Sequence, residues 1–323
     1  MMYNYSKGCT LLLLVVQLIK INGNQILWLE ATMNIKNNDT NIKDFVEINK
    51  YEGKTFVIKY GGSIMSNDAA KEAFVEDVAL MTKAGIKVVI VHGGGPLINK
   101  WVTKTGGENK FIKGLRVTDS DTMEIVEMVL SGNVNKRLSS ILSLKGLNAI
   151  GISGKDSNLI EAKKKYVCED NNKIDIGFVG EVTKINENIL ITLLKNDYIP
   201  VISPIGISEQ GKSYNINADY AAAAISGVLK AEKLLIMTDI DGVYTDITDP
   251  STLLSSITVE ETKEFINKGI VYGGMIPKLE CCVAAINKGT KNVHLVDGRE
   301  KHSLLLNIIK NCGTRIITAK GAN

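Results

Sequence analysis

The sequence predicts an α/β fold: a three-layer αβα sandwich with a mostly parallel, open sheet. Three observations predict it. Short apolar runs such as Thr55–Tyr60, Lys87–His92 and Lys233–Thr238 read as strands buried on both faces. Amphipathic stretches long enough for helices separate them, which implies repeated crossovers with helices covering both faces. Glycines then cluster where strands end, at Gly61-Gly62 and Gly93-Gly94-Gly95, while Gly273-Gly274 opens a helix. Backbone N–H groups approach an anion closely at such glycines, and a following helix N-terminus adds favourable partial charge. Polyphosphate handling is the first expectation.

Each element has its own signal. Residues 41–51 place Ile42, Phe45, Val46 and Ile48 on one face of a short helix ahead of the first strand. Residues 68–84 are a helix ended by Gly85, and residues 96–105 a helix with Pro96 in its favoured first turn. Residues 111–117 form a hairpin arm; 121–145 are one long helix ended by Gly146; 148–152 are a strand. The polar, lysine-rich stretch 161–173 is an exposed hairpin, followed by a strand at 177–184, the helix Asn188–Lys195, a strand at 198–204 and a turn at 206–212. An alanine-rich helix at 218–229 packs closely on the sheet. After Lys233–Thr238 come helices at 259–268 and 274–288, a strand at 292–296 and a last helix at 303–311.

Composition narrows the function classes. The net charge is only +3, and the basic residues are mostly lysines interspersed with acids, the pattern of a solvated surface, so nucleic-acid binding is not expected. Five cysteines (Cys9, Cys168, Cys281, Cys282, Cys312) are odd in number and lack metal-ligand spacing, which reads as reduced thiols in a cytoplasmic protein. Residues 1–32 do not match the rest. Leu11 to Ile19 resemble a signal-peptide core, but no A-x-A site follows, and the run is far below the roughly 20 residues that span a bilayer. The preferred reading starts the native chain at Met33 and makes 1–32 a non-native or disordered extension, with no membrane association.

One motif misleads. Gly206-Ile-Ser-Glu-Gln-Gly211-Lys212-Ser213 satisfies G-x-x-x-x-G-K-[ST], the pattern of a P-loop. That loop needs a helix starting at the Gly-Lys-Ser step. Here Tyr214-Asn215-Ile216-Asn217 alternate and read as extended, so the helix begins no earlier than Ala218 and the segment is a polar turn between strands.

Taken in order, Lys59-Tyr60-Gly61-Gly62, His92-Gly93-Gly94-Gly95-Pro96, Asn215-Ile216-Asn217-Ala218-Asp219 and Gly273-Gly274-Met275-Ile276-Pro277-Lys278 make the chain resemble the amino-acid kinase family. The resemblance runs from about Asn41 to Thr318. Gly114–Asp119, the stretch 127–136 and Gly151–Asp156 are similar to the branch that phosphorylates the side-chain carboxylate of N-acetyl-L-glutamate. The resemblance implies a carbamate kinase-like sheet with an acceptor lobe at 33–203 and an ATP lobe at 204–323. It implies ATP as phosphoryl donor, with Mg²⁺ bridging its oxygens through water, and no protein ligand to the metal.

The same resemblance assigns residues. Lys59 and Lys278 would contact the phosphates from two sides, with Asp219 between them, because two converging ammoniums repel and need a fixed anion. Read without the family, Asp219 is equally a helix cap. Arg116 would take the acceptor's α-carboxylate. It is one of only four arginines, and its planar fork suits bidentate recognition; the bland alternative is a surface ion pair with Asp119 or Asp121. Gly94, Gly95 and Asn215 would complete the acceptor site, with Asn217 supporting it near the phosphates. Gly61, Gly62, Gly274, Met275, Asp241 and Tyr244 would hold the nucleotide, although Asp239 and Asp241 also suit ordinary turns. His92 reads as structural.

Arginine-inhibited members of the family resemble hexamers built by an N-terminal helix, which residues 41–51 would supply. The arginine-effector pattern is only partly kept: His302–Leu306 matches, Asn307 stands where an acid is usual, and Cys312–Arg315 is two residues short. A homo-oligomer, dimer or hexamer, is expected. Rival readings are a family kinase acting on glutamate itself and an amino-acid-sensing protein without turnover; retention of both Lys59 and Lys278 argues against the sensor.

Overall fold

The computed structural model describes residues 42–61, 64–169 and 172–318; the expected 1–32 extension and Gly62 lie outside them. The chain divides into two units, Met1–Lys50 and Tyr51–Asn323. In the first, helix α1 (Ile42–Asn49) forms where the apolar spacing places it.

The second unit is built on one eight-stranded sheet. Its strands are β1 (Thr55–Tyr60), β2 (Lys87–His92), β5 (Ala149–Ser153), β8 (Ile199–Ser203), β11 (Lys233–Thr238), β12 (Ser256–Thr258), β13 (Asn292–Asp297) and β14 (Thr314–Ile317), in the order β12-β14-β13-β11-β1-β2-β8-β5. All neighbours are parallel except β13 and β14. The order itself separates two halves that meet at the β1–β11 pair: strands before residue 204 lie on one side and strands after it on the other. Central strands are buried along nearly their whole length, which is why they read as continuous apolar runs rather than alternating ones.

Helices α2 (Asp68–Lys83), α3 (Gly95–Lys104), α4 (Ser120–Glu127), α5 (Asn135–Leu144), α6 (Asn188–Lys195), α7 (Ala218–Val228), α8 (Val259–Asn267), α9 (Met275–Asn287) and α10 (Ser303–Lys310) make the crossovers. Their ends carry the chemistry helix ends need. Asn67 caps α2, Asp119 caps α4, and Thr258 with Glu261 closes a capping box on α8. Alanines 221–224 in α7 are all buried, letting its backbone pack close to the sheet and α9. Buried Asp77 on α2 accepts hydrogen bonds from the Leu304 N–H (3.2 Å) and from His302 Nδ1 (2.7 Å), tying α2 to the start of α10.

Four regions differ from the sequence expectation. The long helix at 121–145 is α4 and α5 joined by a π-helical stretch, Met128–Val134. Buried Asn135 at its end donates from Nδ2 to the carbonyls of Val201 (2.8 Å) and Ile152 (3.2 Å) and to His92 Nε2 (3.2 Å). A hydrophobic period of 3.6 does not register such a local widening. The exposed hairpin is longer than expected: β6 (Ile160–Glu169) and β7 (Asn172–Ile185) close with β9 (Ile205–Ile207) and β10 (Ser213–Asn215) into a small barrel. The expected turn at 206–212 therefore starts inside β9, and only its tip turns, with Ser208 N–H donating to Lys212 C=O at 2.9 Å. The short strands β12 and β14 have three and four residues, too few for a periodic signal. The expected arm at 111–117 is the two-residue pair β3 (Phe111–Ile112) and β4 (Leu115–Arg116).

Candidate active site

A cavity of about 310 Å³ opens at the carboxyl ends of β1, β2 and β11, the position at which open α/β sheets bind ligands. Lys59 and Gly61 come from the end of β1, Gly93 to Pro96 from the β2–α3 turn, and Asn217 to Asp219 from the start of α7. Met237 to Asp239 from the end of β11 and Lys278 from the first turns of α9 complete the wall.

Its centre is a charged triad. Asp219 is 7% exposed, with Oδ1 3.0 Å from Lys59 Nζ and Oδ2 accepting a hydrogen bond from Lys278 Nζ at 3.2 Å. Each oxygen of the Asp219 carboxylate thus faces one ammonium. Burial alone would raise the Asp219 pKa; the ammoniums of Lys59 and Lys278 outweigh it and hold the carboxyl at about 2. Asp219 is not the cap of α7. That role belongs to Asn217, whose Oδ1 accepts from the N–H groups of Asp219 (2.8 Å) and Tyr220 (3.4 Å). Asn217 thereby fixes the turn that aims Asp219 at the lysines.

Gly61 is required by close approach: a Cβ there would lie 2.9 Å from the Met237 carbonyl oxygen and 3.5 Å from Lys59 Nζ. In the third cluster Gly273 has the left-handed φ of +60°, whereas Gly274 is an ordinary αR residue preceding α9. Gly95 begins α3, so that helix presents its N-terminal N–H groups to the cavity. Gly62 lies outside the described residues.

Arg116 is buried beside this wall, 7% exposed. Its Nη2 donates to the Gly95 carbonyl (3.3 Å) and to Asn99 Oδ1, its Nη1 donates to Asn109 Oδ1 (2.6 Å), and its guanidinium lies over the Phe111 ring. Asp119, offered by the sequence as an ion-pair partner, instead accepts from Thr122 N–H at 2.8 Å as the cap of α4. Among the described residues no carboxylate pairs with Arg116, and burial pushes its pKa down. A cation buried among neutral acceptors is short of an anion. Asn215 Nδ2 donates to Thr118 Oγ1 at 3.2 Å, linking β10 to the segment after β4. Neither Arg116 nor Asn215 is part of the cavity wall itself.

Asp241 and Tyr244 also lie off that wall, in the exposed loop after β11. Tyr244 donates to Asp241 Oδ2 at 2.7 Å, and Asp241 Oδ1 accepts from Arg299 Nη2 at 3.0 Å. Arg299, which the sequence reading missed, also makes several hydrogen bonds to Asp297, from its backbone N–H and its guanidinium. No sequence signal pointed to it, because 58 residues separate it from Asp241. Met275 is half-buried at the start of α9 and packs on the main core, and Gly274 is exposed.

His92 is fully buried, with Nδ1–H donating to the Gly93 carbonyl at 2.8 Å and Nε2 accepting from Asn135; burial lowers its pKa to about 4, so it is neutral and structural. Cys281 and Cys282 are buried under the triad, and burial pushes both thiols up, which keeps them protonated. Lys212 of the P-loop-like segment is in the exposed β9–β10 turn and not on the cavity wall. Among the described residues no three His, Cys, Asp or Glu side chains are grouped to hold a metal ion, and no helix is long and apolar enough to cross a membrane.

The model of the amino acid kinase family matches residues 54–297. An acetylglutamate kinase of Clostridium acetobutylicum is 53% identical over 275 residues, covering 85% of this chain and 93% of that protein. The structure of smu.665 from Streptococcus mutans UA159 superposes with a TM-score of 0.66 at 32% identity, covering 85% of this chain and 99% of that one. The fold is also that of carbamate kinase from Giardia lamblia bound to AMP-PNP, with a TM-score of 0.59 at 17% identity over 82% of this chain and 99% of that one.

Proposed function

The chain belongs to the amino acid kinase family, and from that premise we propose that it transfers the γ-phosphoryl of ATP to the side-chain carboxylate of N-acetyl-L-glutamate. The product is N-acetyl-L-glutamyl 5-phosphate, an intermediate of arginine biosynthesis. The observation that carries the reading is the pair of ammoniums held on one buried carboxylate at the mouth of a glycine-lined cavity.

A glutamate side-chain carboxyl has an ordinary pKa of about 4.3, so the nucleophile is already ionised at neutral pH and no general base is needed. The barrier is electrostatic: an anion must approach a triphosphate, and the moving phosphoryl must be stabilised as it passes in line from ADP to the carboxylate oxygen. Lys59 would contact the transferring phosphoryl and Lys278 the β- and γ-phosphates. Asp219 sets their spacing without protonating. Because the triad is held together by its own ion pairs, little reorganisation would be left for the reaction step.

On the acceptor side, the uncompensated Arg116 would take the α-carboxylate, and Gly94, Gly95 and Asn215 the rest of the molecule, with Asn217 holding the junction. The nucleotide would lie toward Gly61, Gly62, Gly274, Met275, Asp241 and Tyr244, so residues 33–203 would serve as acceptor lobe and 204–323 as ATP lobe. Asp219 is taken by two lysines and Asp239 is the other carboxylate on the wall, a donor set that fits Mg²⁺ arriving on the nucleotide with its waters rather than a protein cage. When bound, Mg²⁺ neutralises phosphate charge.

A cytoplasmic homo-oligomer, dimer or hexamer, is the proposed working form. Asn307 gives no counter-charge to an arginine effector: its Nδ2 donates to His294 Nδ1 (3.0 Å) and the Cys312 carbonyl (2.7 Å), so weak or absent arginine inhibition is proposed. The direct test is ATP-dependent acyl phosphate formation, trapped as the hydroxamate, with N-acetylglutamate and glutamate compared. Turnover of N-acetylglutamate is expected; failure with every acidic acceptor sinks the proposal.

A further inference from the structure

A second concavity, of about 300 Å³, lies on the other side of the active-site wall. Met65, Leu97, Val134, Leu138 and Ile141 give it an apolar lining from the segment after β1, from α3, and from the π-helical stretch and α5. Its charged members are Lys71, Lys100 and Arg137, and no acid lines it. Lys71 is neutralised by Asp68, with Nζ 2.5 Å from Oδ1. Lys100 and Arg137 are exposed and make no hydrogen bond or close ion pair with any described residue, although Asp68 acts on Arg137 at longer range.

A volume near the low end of small-ligand pockets, apolar walls and a few convergent polar groups are the usual features of a ligand site. The charged groups here are all cations, and the neutral polar ones, the Tyr60 hydroxyl and the Asn133 amide, can each donate to a carboxylate. We propose that this pocket binds a small amphipathic carboxylate, its hydrocarbon against Leu97, Leu138 and Ile141 and its headgroup between Lys100 and Arg137. Pro96 lines both this pocket and the active-site cavity, one residue after Gly95. Tyr60, the neighbour of Lys59, lines it as well. Occupancy therefore bears on the first turn of α3 from behind and alters acceptor binding; this coupling rests on the acceptor role of Gly94 and Gly95, whereas the binding itself does not.

The test is calorimetric titration of the full chain with octanoate below its micelle concentration, against octanol and octylamine, with Trp101 fluorescence on α3 as a second signal. Octanoate is expected to bind best. In Lys100→Glu/Arg137→Glu, both exposed positions that folding tolerates, octanoate should weaken by about tenfold, since each exposed charge contact is worth up to about 1 kcal/mol. Octylamine should bind this variant more tightly than it binds the wild type. Equal binding of octanoate and octanol, or unchanged octanoate binding in the variant, overturns the carboxylate site. So does a variant that shifts the sedimenting mass while wild type binds no octanoate, which would make the pocket an interface between copies. If octanoate binds but leaves the acceptor KM unchanged, the coupling through Pro96 is overturned.

Discussion

Two lysines on adjacent central strands are both buried, yet their surroundings are opposite. Lys59, near the end of β1, is 8% exposed and shares the Asp219 carboxylate with Lys278 at the mouth of a cavity. Lys233, at the start of β11 and in register with Phe56, is 2% exposed and has no ion-pair partner among the described residues. Its Nζ lies over the Tyr51 ring at 5.1 Å and near the Phe56 ring at 6.0 Å, with Asn307 Oδ1 at 3.4 Å. Burial, with a smaller contribution from Arg315, pushes its pKa down to about 8. The contrast shows what a counter-ion does inside a protein. With one, a buried ammonium is compensated and aimed into the cavity; without one, its charge is a cost relieved only in part by aromatic faces and an amide.

Substitutions sharpen the contrast, beginning with the largest effect. Lys278→Ala should lower kcat by about 10²–10³-fold, the usual cost of losing a group that stabilises transition-state charge, with circular dichroism unchanged. A fully active variant would break the assignment of the triad. Arg116→Lys keeps the charge but loses the fork; the KM for N-acetylglutamate should rise about tenfold with kcat much less affected, measured in the hydroxamate assay.

Lys233→Met should act on stability instead. The folded-state pKa of this cation is lowered, so its cost is full below about pH 8 and fades as pH rises toward the unfolded value of 10.5. Chemical denaturation of wild type should show stability rising over that window by up to about 3 kcal/mol relative to the variant. Parallel pH profiles would mean that Lys233 carries no such cost. The smallest effect is expected at Arg299→Ala: its contacts with Asp241 and Asp297 are exposed, and exposed pairs are worth about 1 kcal/mol or less, so the KM for ATP should move less than about fivefold.

Much of the fold was legible. Thr55–Tyr60, Lys87–His92, Asn188–Lys195 and Lys233–Thr238 form as read, because strong apolar patterns bounded by glycine, proline or polar residues leave little choice of local structure. The P-loop-like segment was rejected on the extended pattern of residues 214–217, and in the structure α7 begins at Ala218 as that pattern requires. What escaped depends on distant partners. β9 and β10 are three residues each and exist because β6 and β7 accept them into a barrel. The π-helical stretch leads into Asn135, which bonds carbonyls 17 and 66 residues away.

By itself, then, the sequence determined the alternation of strands and helices, the glycine turns and which residues carry charge near them, since these follow from local sterics and hydrophobic period. Only the tertiary structure decided that Lys59 and Lys278, 219 positions apart, converge on Asp219, that Arg116 is buried with no carboxylate partner among the described residues, and that Arg299 joins Asp241. Electrostatic environment is a property of what packs around a group, and that neighbourhood is assembled by sheet order rather than by chain order.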